Sequence, residues 1–451
     1  MTHELPAVLH GEAGASWAVS VRLASTLTLS ARFVTPPPPG TRFERLVLEH
    51  PARPLTLGRC RLADDGARLV FVDDLYDFRV ILEQGRVKNL LGFFNELPLV
   101  LAQRETITDD FRGFVADLIY DLTVYKKFFD EQDRALSSEP LDVAELAREV
   151  LLARAGPEFF RFLDRNLERL RTLVKDFSSE QHERHGYYFR QQLWPFIMGS
   201  AFMQRTNLKP RGYAGDATMM QMIYDDAWEG TWVFNKLMHR HPVRHPAAEA
   251  VRNRRQLIAR LLSEHLSAHA AAPYRVLSVA CGPARELEDV FKRGLDPARV
   301  ELTLLDQDDE ALAAAKRTVQ TVEQQLGAPV RFTTVNDSVR TLLRDRTASE
   351  RWGRFDFIYS MGMFDYLTPP VARAVLSRLF ELLAPGGRLV VGNYHVDNPS
   401  RFYMAYWLDW VLYYRTEAEM RALAAGLPGA HVELGFDDSG CQMFLTVGPT
   451  A

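Results

Sequence analysis

From Tyr274 onward, short apolar runs alternate with helical stretches. That punctuation restricts this part of the chain to a parallel sheet with helices on both faces. The runs fall at 276–280, 302–305, 330–335, 355–359 and 388–391. The tail breaks the rhythm. Two further runs, 431–436 and 443–447, are joined by Asp437-Asp438-Ser439-Gly440, which leaves no room for a crossover helix. They must pair as an antiparallel hairpin.

The rest of the chain reads differently. With 451 residues it is too long for one ordinary core, so two or three domains are expected. Residues 1–95 are β-rich: partial alternation from Trp17 to Phe33, then short runs at 46–48, 55–57 and 69–72 separated by turn chemistry such as Asp64-Asp65-Gly66. This predicts a small barrel-like domain. From about Phe93 the pattern turns helical, with Phe111, Phe114, Val115, Leu118 and Leu122 at helical spacing, and Phe159, Phe162, Leu163 and Leu167 after them. The expected division is a barrel-like domain over 1–95, a helical domain over 96–265 and an α/β domain over 266–451.

Composition excludes several classes of function. Hydrophobic residues make up 47% and charged residues 25%, the balance of a globular protein. Net charge is −4, without the basic excess of a nucleic-acid binder. Cys60, Cys281 and Cys441 have neither metal-ligand spacing nor a disulfide pattern. There is no signal-peptide start and no bilayer-length apolar stretch, so a cytoplasmic protein is expected. His182, His185, His239, His241 and His245 complete no metal pattern and are expected at helix surfaces or turns.

Val276-Leu277-Ser278-Val279-Ala280-Cys281-Gly282-Pro283-Ala284-Arg285-Glu286 reads as a buried strand, a tight turn and a helix starting near Glu286. Gly282 removes the Cβ that would keep a ligand from the backbone. At the end of the second strand comes Leu304-Leu305-Asp306-Gln307, where an acidic side chain can accept hydrogen bonds from a ribose. Asp308 can share that task or cap the next helix. Asn336-Asp337-Ser338 follows the third strand. Asp356 begins the fourth, which ends at Ser360-Met361-Gly362. Pro385-Gly386-Gly387 turns into the fifth.

In order and spacing these segments resemble the motifs of class I S-adenosylmethionine-dependent methyltransferases, from Tyr274 to Val447. The resemblance implies a Rossmann-like sheet with a C-terminal antiparallel hairpin and S-adenosyl-L-methionine as cofactor. It departs in one place: Ala280 stands where the family's first glycine is common. By the resemblance, Ala280 and Gly282 lie against the methionine portion and ribose, and Asp306 and Gln307 lie at the ribose. Asn336, Asp337 and Ser338 lie toward the adenine, with helix capping as the alternative for Asp337 and Ser338. Ser360 and Met361 lie at the junction of cofactor and acceptor.

Two segments are candidates for the acceptor side. Lys209-Pro210-Arg211-Gly212-Tyr213-Ala214-Gly215-Asp216 sets a cation, a phenol and a carboxylate on one short loop between helices. It is expected to act as a lid, with Tyr213 and Asp216 also touching cofactor. After the fifth strand come Asn393-Tyr394-His395 and Asn398-Pro399-Ser400, then an expected helix bearing Phe402, Tyr403, Tyr406, Trp407, Trp410, Tyr413 and Tyr414. Those rings either pack on the helical domain or form an apolar acceptor pocket. The segments 211–216, 393–395, 398–401 and 414–417 together resemble bacterial methyltransferases that make 3-hydroxy fatty acid (3-hydroxypalmitate) methyl esters. Ala214 departs from that pattern. Some of those relatives carry a PilZ-like N-terminal domain. Arg59 and Arg61 match its basic segment, but the Asp/Asn-x-Ser-x-x-Gly signature is missing, so a packing or homodimerisation role is expected instead.

The resemblance implies carboxyl O-methylation of a small-molecule or lipid acceptor, with no nucleic acid involved. Arg211, Tyr213 and His395 are the expected catalytic residues, since an ionised carboxylate needs positioning rather than a base. An N-, O- or C-methyltransferase of a natural-product intermediate, in which His395 or Asp216 serves as base, and a non-catalytic signalling protein are the alternatives.

Overall fold

The computed structural model describes residues 4–11, 14–51, 53–84, 87, 97–98, 101–102, 104–269, 273–344 and 351–449. The chain divides into two compact units, one ending at Thr106 and the other starting at Ile107. The expected boundary at 95 and the expected helical start at Phe93 lie outside the described residues.

The first unit is an antiparallel sheet of eight strands: β1 (Leu5–His10), β2 (Ser16–Ser25), β3 (Thr28–Phe33), β4 (Arg42–Phe43), β5 (Arg45–His50), β6 (Arg53–Leu57), β7 (Cys60–Leu62) and β8 (Arg68–Phe71). Their order is β4-β7-β8-β3-β2-β1-β5-β6. Period-two alternation places Leu46, Leu48, Leu55, Leu57, Leu62 and Leu69 in one core, which helix α1 (Phe78–Gln84) joins through Phe78 and Ile81. Cys60 is buried there, and burial pushes its thiol up to about 12.

The second unit holds both the helices and the C-terminal sheet. Strands β9 (Tyr274–Val279), β10 (Val300–Asp306), β11 (Arg331–Asn336), β12 (Phe355–Ser360) and β13 (Leu383–Tyr394) run parallel. β14 (Ala430–Phe436) and β15 (Gln442–Pro449) form the hairpin, and β15 runs antiparallel to β13. The order β11-β10-β9-β12-β13-β15-β14 puts a topological switch between β9 and β12. Alternate residues serve opposite faces. Val276, Leu302 and Phe357 pack with Ile258, Leu287 and Val319, while Leu277, Ile358 and Leu389 pack with Val375, Leu376 and Leu379. Asp356 is structural: its Oδ2 accepts the Arg275 N–H at 2.8 Å. The turn expected before the fifth strand is absorbed into β13, where the register against β12 shifts and Gly386 takes φ 75°.

The remaining helices are α2 (Asp109–Leu136), α3 (Leu141–Val174), α4 (Ser179–Ile197), α5 (Ala201–Leu208), α6 (Ala217–Asp225), α7 (Val233–Arg244) and α8 (Pro246–Ser267). Among the described residues, α9 (Glu286–Lys292), α10 (Asp309–Leu326), α11 (Val339–Arg344), α12 (Pro369–Glu381), α13 (Arg401–Trp407) and α14 (Glu417–Ala422) follow. Phe111, Leu118, Phe159, Phe189 and Phe234 centre the helical core, and Tyr403, Tyr406 and Trp407 of α13 join it. The aromatic segment is thus helical only to Trp407. Asp409 then adopts φ 47°, held by Arg190 at 2.9 Å and Lys209 at 2.5 Å, so Trp410 and Leu412 leave the helix direction.

The histidines correct the sequence reading. His185, His239 and His241 are buried in the helical core rather than exposed. His241 bridges Asp164 and Tyr403 at 2.9 and 2.7 Å, and both ring nitrogens of His239 lack a partner among the described residues. Burial drives the His239 imidazole down to about 4. These rings lie on helix faces that another layer covers, which helical periodicity alone does not reveal. Among the described residues there is no metal-binding cluster, and no helix is long and apolar enough to cross a membrane.

Candidate active site

The carboxyl ends of the parallel strands meet the helices around a cavity of about 730 Å³, within the usual size range of small-molecule sites. Its floor is the turn after β9. Ala280, Gly282 and Ala284 alternate in the left-handed region at φ 53°, 54° and 50°. That conformation costs an alanine about 1–2 kcal/mol and glycine much less. A Cβ built on Gly282 meets nothing within 4 Å, so its bare backbone faces open cavity. The turn therefore holds an unfavourable backbone shape that opens the space above it.

Asp306 ends β10 and ties this turn in place. Its Oδ2 accepts the Gly282 N–H and its Oδ1 the Asp308 N–H, both at 3.0 Å. Burial raises this carboxyl above its ordinary value against the pull of those bonds. Each oxygen keeps a second lone pair, which suits two neighbouring hydroxyls. Gln307, Asp337 and Ser338 line the same end of the cavity. Deeper in, Tyr359 donates to Glu286 at 2.7 Å, and burial raises the Glu286 carboxyl.

The loop 209–216 crosses the cavity mouth, and its polar residues are engaged. Arg211 pairs with Asp308 at 2.5 Å and Tyr213 donates to the other Asp308 oxygen at 3.2 Å. Burial raises the Asp308 carboxyl, but the bonds from Arg211, the Glu310 N–H and Tyr213, with the Arg211 charge, together outweigh it and the group lies below its ordinary value. Asp308 also caps α10 through the Glu310 N–H at 2.9 Å, so it serves as cap and latch. Asp216 is buried, caps α6 through the Met219 N–H and takes two 2.8 Å bonds from Arg205. Gly215 is required by close approach: a Cβ there would lie 2.6 Å from the Tyr366 hydroxyl and 2.9 Å from the Trp410 ring.

The acceptor-side wall comes from several segments. Met220 stands on α6, Val251, Arg254 and Ile258 on α8, Asp365 and Tyr366 on the turn after β12, and Trp410 and Leu412 beyond α13. Arg254 donates to the Met361 carbonyl at 3.2 Å and has no carboxylate partner among the described residues. Asp365 is buried, its Oδ1 accepts the Tyr394 N–H at 2.7 Å, and burial pushes its carboxyl up to about 7.

Of the residues picked out in the sequence, Arg211, Tyr213, Ala280, Gly282, Asp306, Gln307, Asp337, Ser338 and Met361 line this cavity. Asp216, Asn336, Ser360 and His395 do not. Asn336 is exposed beside Asp306 at the end of β11, and the buried Ser360 hydroxyl has no partner among the described residues. His395 packs edge-on to Phe436, and its backbone N–H bonds Cys441 at 2.8 Å, on the hairpin side of the sheet. Strand alternation explains it: Tyr394 faces the cavity, so the next residue points away. Arg254, Asp365 and Tyr366 were missed. Arg254 did carry a signal, since it falls on the apolar stripe of α8, three residues after Val251 and four before Ile258. Asp365 carried none.

Residues 277–389 match a family model described as a methyltransferase domain. Curated proteins yield no match. Among solved structures, a "possible exported protein" from Bordetella parapertussis is 20% identical, covering 66% of this chain and 98% of its own, with a TM-score of 0.46. Magnesium protoporphyrin IX methyltransferase from Synechocystis, with bound S-adenosylmethionine, is 13% identical over 45% of this chain and 83% of its own, at 0.33. The N-methyltransferase NodS from Bradyrhizobium japonicum is 16% identical over 44% and 97%, at 0.30. Likenesses this loose transfer neither substrate nor residue roles.

Proposed function

We propose that this chain, an S-adenosylmethionine-dependent methyltransferase, methylates a small amphiphilic acceptor that enters beside Arg254, best read as the carboxylate of a 3-hydroxy fatty acid. The observation that carries this reading is the composition of the acceptor wall. Met220, Met363, Leu367, Val371, Trp410 and Leu412 give it an apolar surface, and Arg254 supplies a cation that forms no ion pair with a side-chain carboxylate among the described residues. Burial raises the Glu286 and Asp365 carboxyls, and the Arg254 charge lowers them again in part from a distance.

The residues present fit the cofactor. Asp306 offers two carboxylate oxygens at a strand end, Gly282 leaves open space over the turn, and Asp337 and Ser338 supply polar groups beyond it. When bound, the cofactor supplies a methyl group made electrophilic by a sulfonium. The chain's own work is then to orient and to exclude water. Arg254 positions the acceptor carboxylate, which is ionised at neutral pH and needs no base. Arg211 and Tyr213 act on the lid through Asp308 rather than on the acceptor. His395 has no place in this scheme.

Asp365 favours a second reading. A cavity-wall carboxyl poised at about 7 suits proton removal from a hydroxyl or amine. The two readings separate in one assay. The protein is incubated with S-adenosylmethionine and 3-hydroxyhexadecanoic acid, release of S-adenosylhomocysteine is followed, and the product is treated with mild base. Methanol in the hydrolysate, lost with Arg254→Met, supports the ester reading. No turnover with this acid sinks it.

A further inference from the structure

Asp365 poses a problem that its neighbours do not solve. The residue is 2% exposed on a short turn, Phe364–Tyr366, just past β12. Two arginines approach from different elements, yet neither pairs with it. Arg254 of α8 gives its hydrogen bonds to the Met361 carbonyl and the Met220 sulfur. Arg415, just before α14, bonds the carbonyls of Phe364 and Leu367 at 2.8 and 2.6 Å, together with the Asn393 side chain. The phenols are also engaged elsewhere. Tyr394 of β13 donates to Ala247, Tyr366 accepts from Trp410, and Tyr414 points to the Met404 sulfur. Tyr413 meets Asp365 only through backbone. Burial holds this carboxyl partly neutral, pushed up to about 7 even with Arg254 and Arg415 acting on it from a distance, so a cation entering the cavity beside it would stabilise its ionised form.

The turn bearing Asp365 follows Met361 in the chain and lines the same cavity as Ala280, Gly282 and Met361. A sulfonium has a fixed charge there, cannot lose a proton and has no N–H or O–H to donate. An opposing charge favours it over the neutral thioether that remains once the methyl group is lost.

We propose that Asp365 is the residue by which this chain selects the sulfonium of S-adenosylmethionine over the neutral thioether of S-adenosylhomocysteine. The proposal rests on reading the cavity as the cofactor site. Its consequence is that loss of the methyl group also removes the charge that held the ligand, which favours release of the spent cofactor.

The sign is fixed by linkage. A cation that prefers the ionised carboxyl binds more tightly as pH rises through the Asp365 transition. The arginines stay charged throughout. Burial raises Tyr213, Tyr366, Tyr394 and Tyr414 above their ordinary values, so none titrates in that window. The two ligands share their adenosine and amino-acid groups. Effects of Asp306, Glu286 and the ligand ammonium that act through those shared groups therefore cancel in the ratio of affinities. Any direct effect of Glu286 or Asp306 on the sulfonium is common to the unaltered protein and Asp365→Asn.

The test is calorimetric binding of both ligands to the full chain at about pH 6 and about pH 8, with Asp365→Asn alongside; asparagine keeps an acceptor for the Tyr394 N–H. In the unaltered protein the affinity ratio of S-adenosylmethionine to S-adenosylhomocysteine should rise roughly tenfold across this range, equivalent to about one unit of coupling. In Asp365→Asn it should be low and flat. A ratio that does not change with pH in the unaltered protein overturns the proposal without any variant having to fold. Equal ratios in protein and variant overturn it as well. If neither ligand binds, the cofactor reading falls, and the inference with it.

Discussion

The two walls of the cavity are built by opposite strategies. The cofactor wall comes from successive strand ends, with Ala280, Gly282, Asp306, Asp337 and Met361 following β9, β10, β11 and β12 in order. The acceptor wall gathers Tyr213, Met220, Arg254, Asp365 and Trp410 from segments nearly 200 positions apart. The first is held mostly by backbone, with the Cys281 N–H on the Leu305 carbonyl and the Asp337 N–H on the Asp306 carbonyl, and the Asp306 carboxylate takes the Gly282 N–H. The second is held by side chains such as Arg205–Asp216, Arg211–Asp308 and Lys209–Asp409. A parallel sheet repeats its geometry at every strand end, so the cofactor wall follows from topology. The acceptor wall depends on tertiary contacts and can be rebuilt without disturbing the sheet.

This division makes measurable demands. Asp306→Ala should strike the cofactor wall hardest, since it removes the two oxygens proposed to accept the ribose and the anchors of Gly282 and Asp308. S-adenosylmethionine affinity should fall about 100-fold, read by calorimetry, as expected for losing two hydrogen bonds to a charged group. Retained affinity would mean that the turn after β9 is not the cofactor floor. Gly215→Ala should damage the acceptor wall instead. Forcing a Cβ against Tyr366 and Trp410 should cost about 1–3 kcal/mol in a denaturant melt, while cofactor affinity changes less than in Asp306→Ala. Equal losses in both would erase the distinction between the walls.

Arg211→Met probes the seam, where lid and cofactor wall share Asp308. The Arg211 side chain is about one-third exposed, 33%, and such pairs are worth up to about 1 kcal/mol. Cofactor affinity should fall no more than about fivefold, less so at high salt. His395→Ala should have the smallest effect, with turnover and binding within about twofold of the unaltered protein, because the ring lies off the cavity. A large loss of turnover would restore the sequence reading of that histidine.

The legibility of the site followed the same line. Asp306, Gly282 and the hairpin stood out because strand periodicity and turn chemistry are local and the connections are short. The role of Arg211 did not, since the loop shows a cation but not the Asp308 that takes it. The aromatic segment after β13 read as one helix because nothing near Asp409 announces Arg190 and Lys209, which bend the chain there.

The sequence by itself determined the parallel sheet, its closing hairpin and the polar groups at the strand ends. Those features depend on period, turn residues and spacing, which neighbouring residues enforce. Only the tertiary structure decided which cation forms no ion pair, which histidines are buried and where a carboxyl without an ion pair faces the cavity. Each of those depends on the desolvation and charge that distant segments bring to a side chain, and no local pattern encodes them.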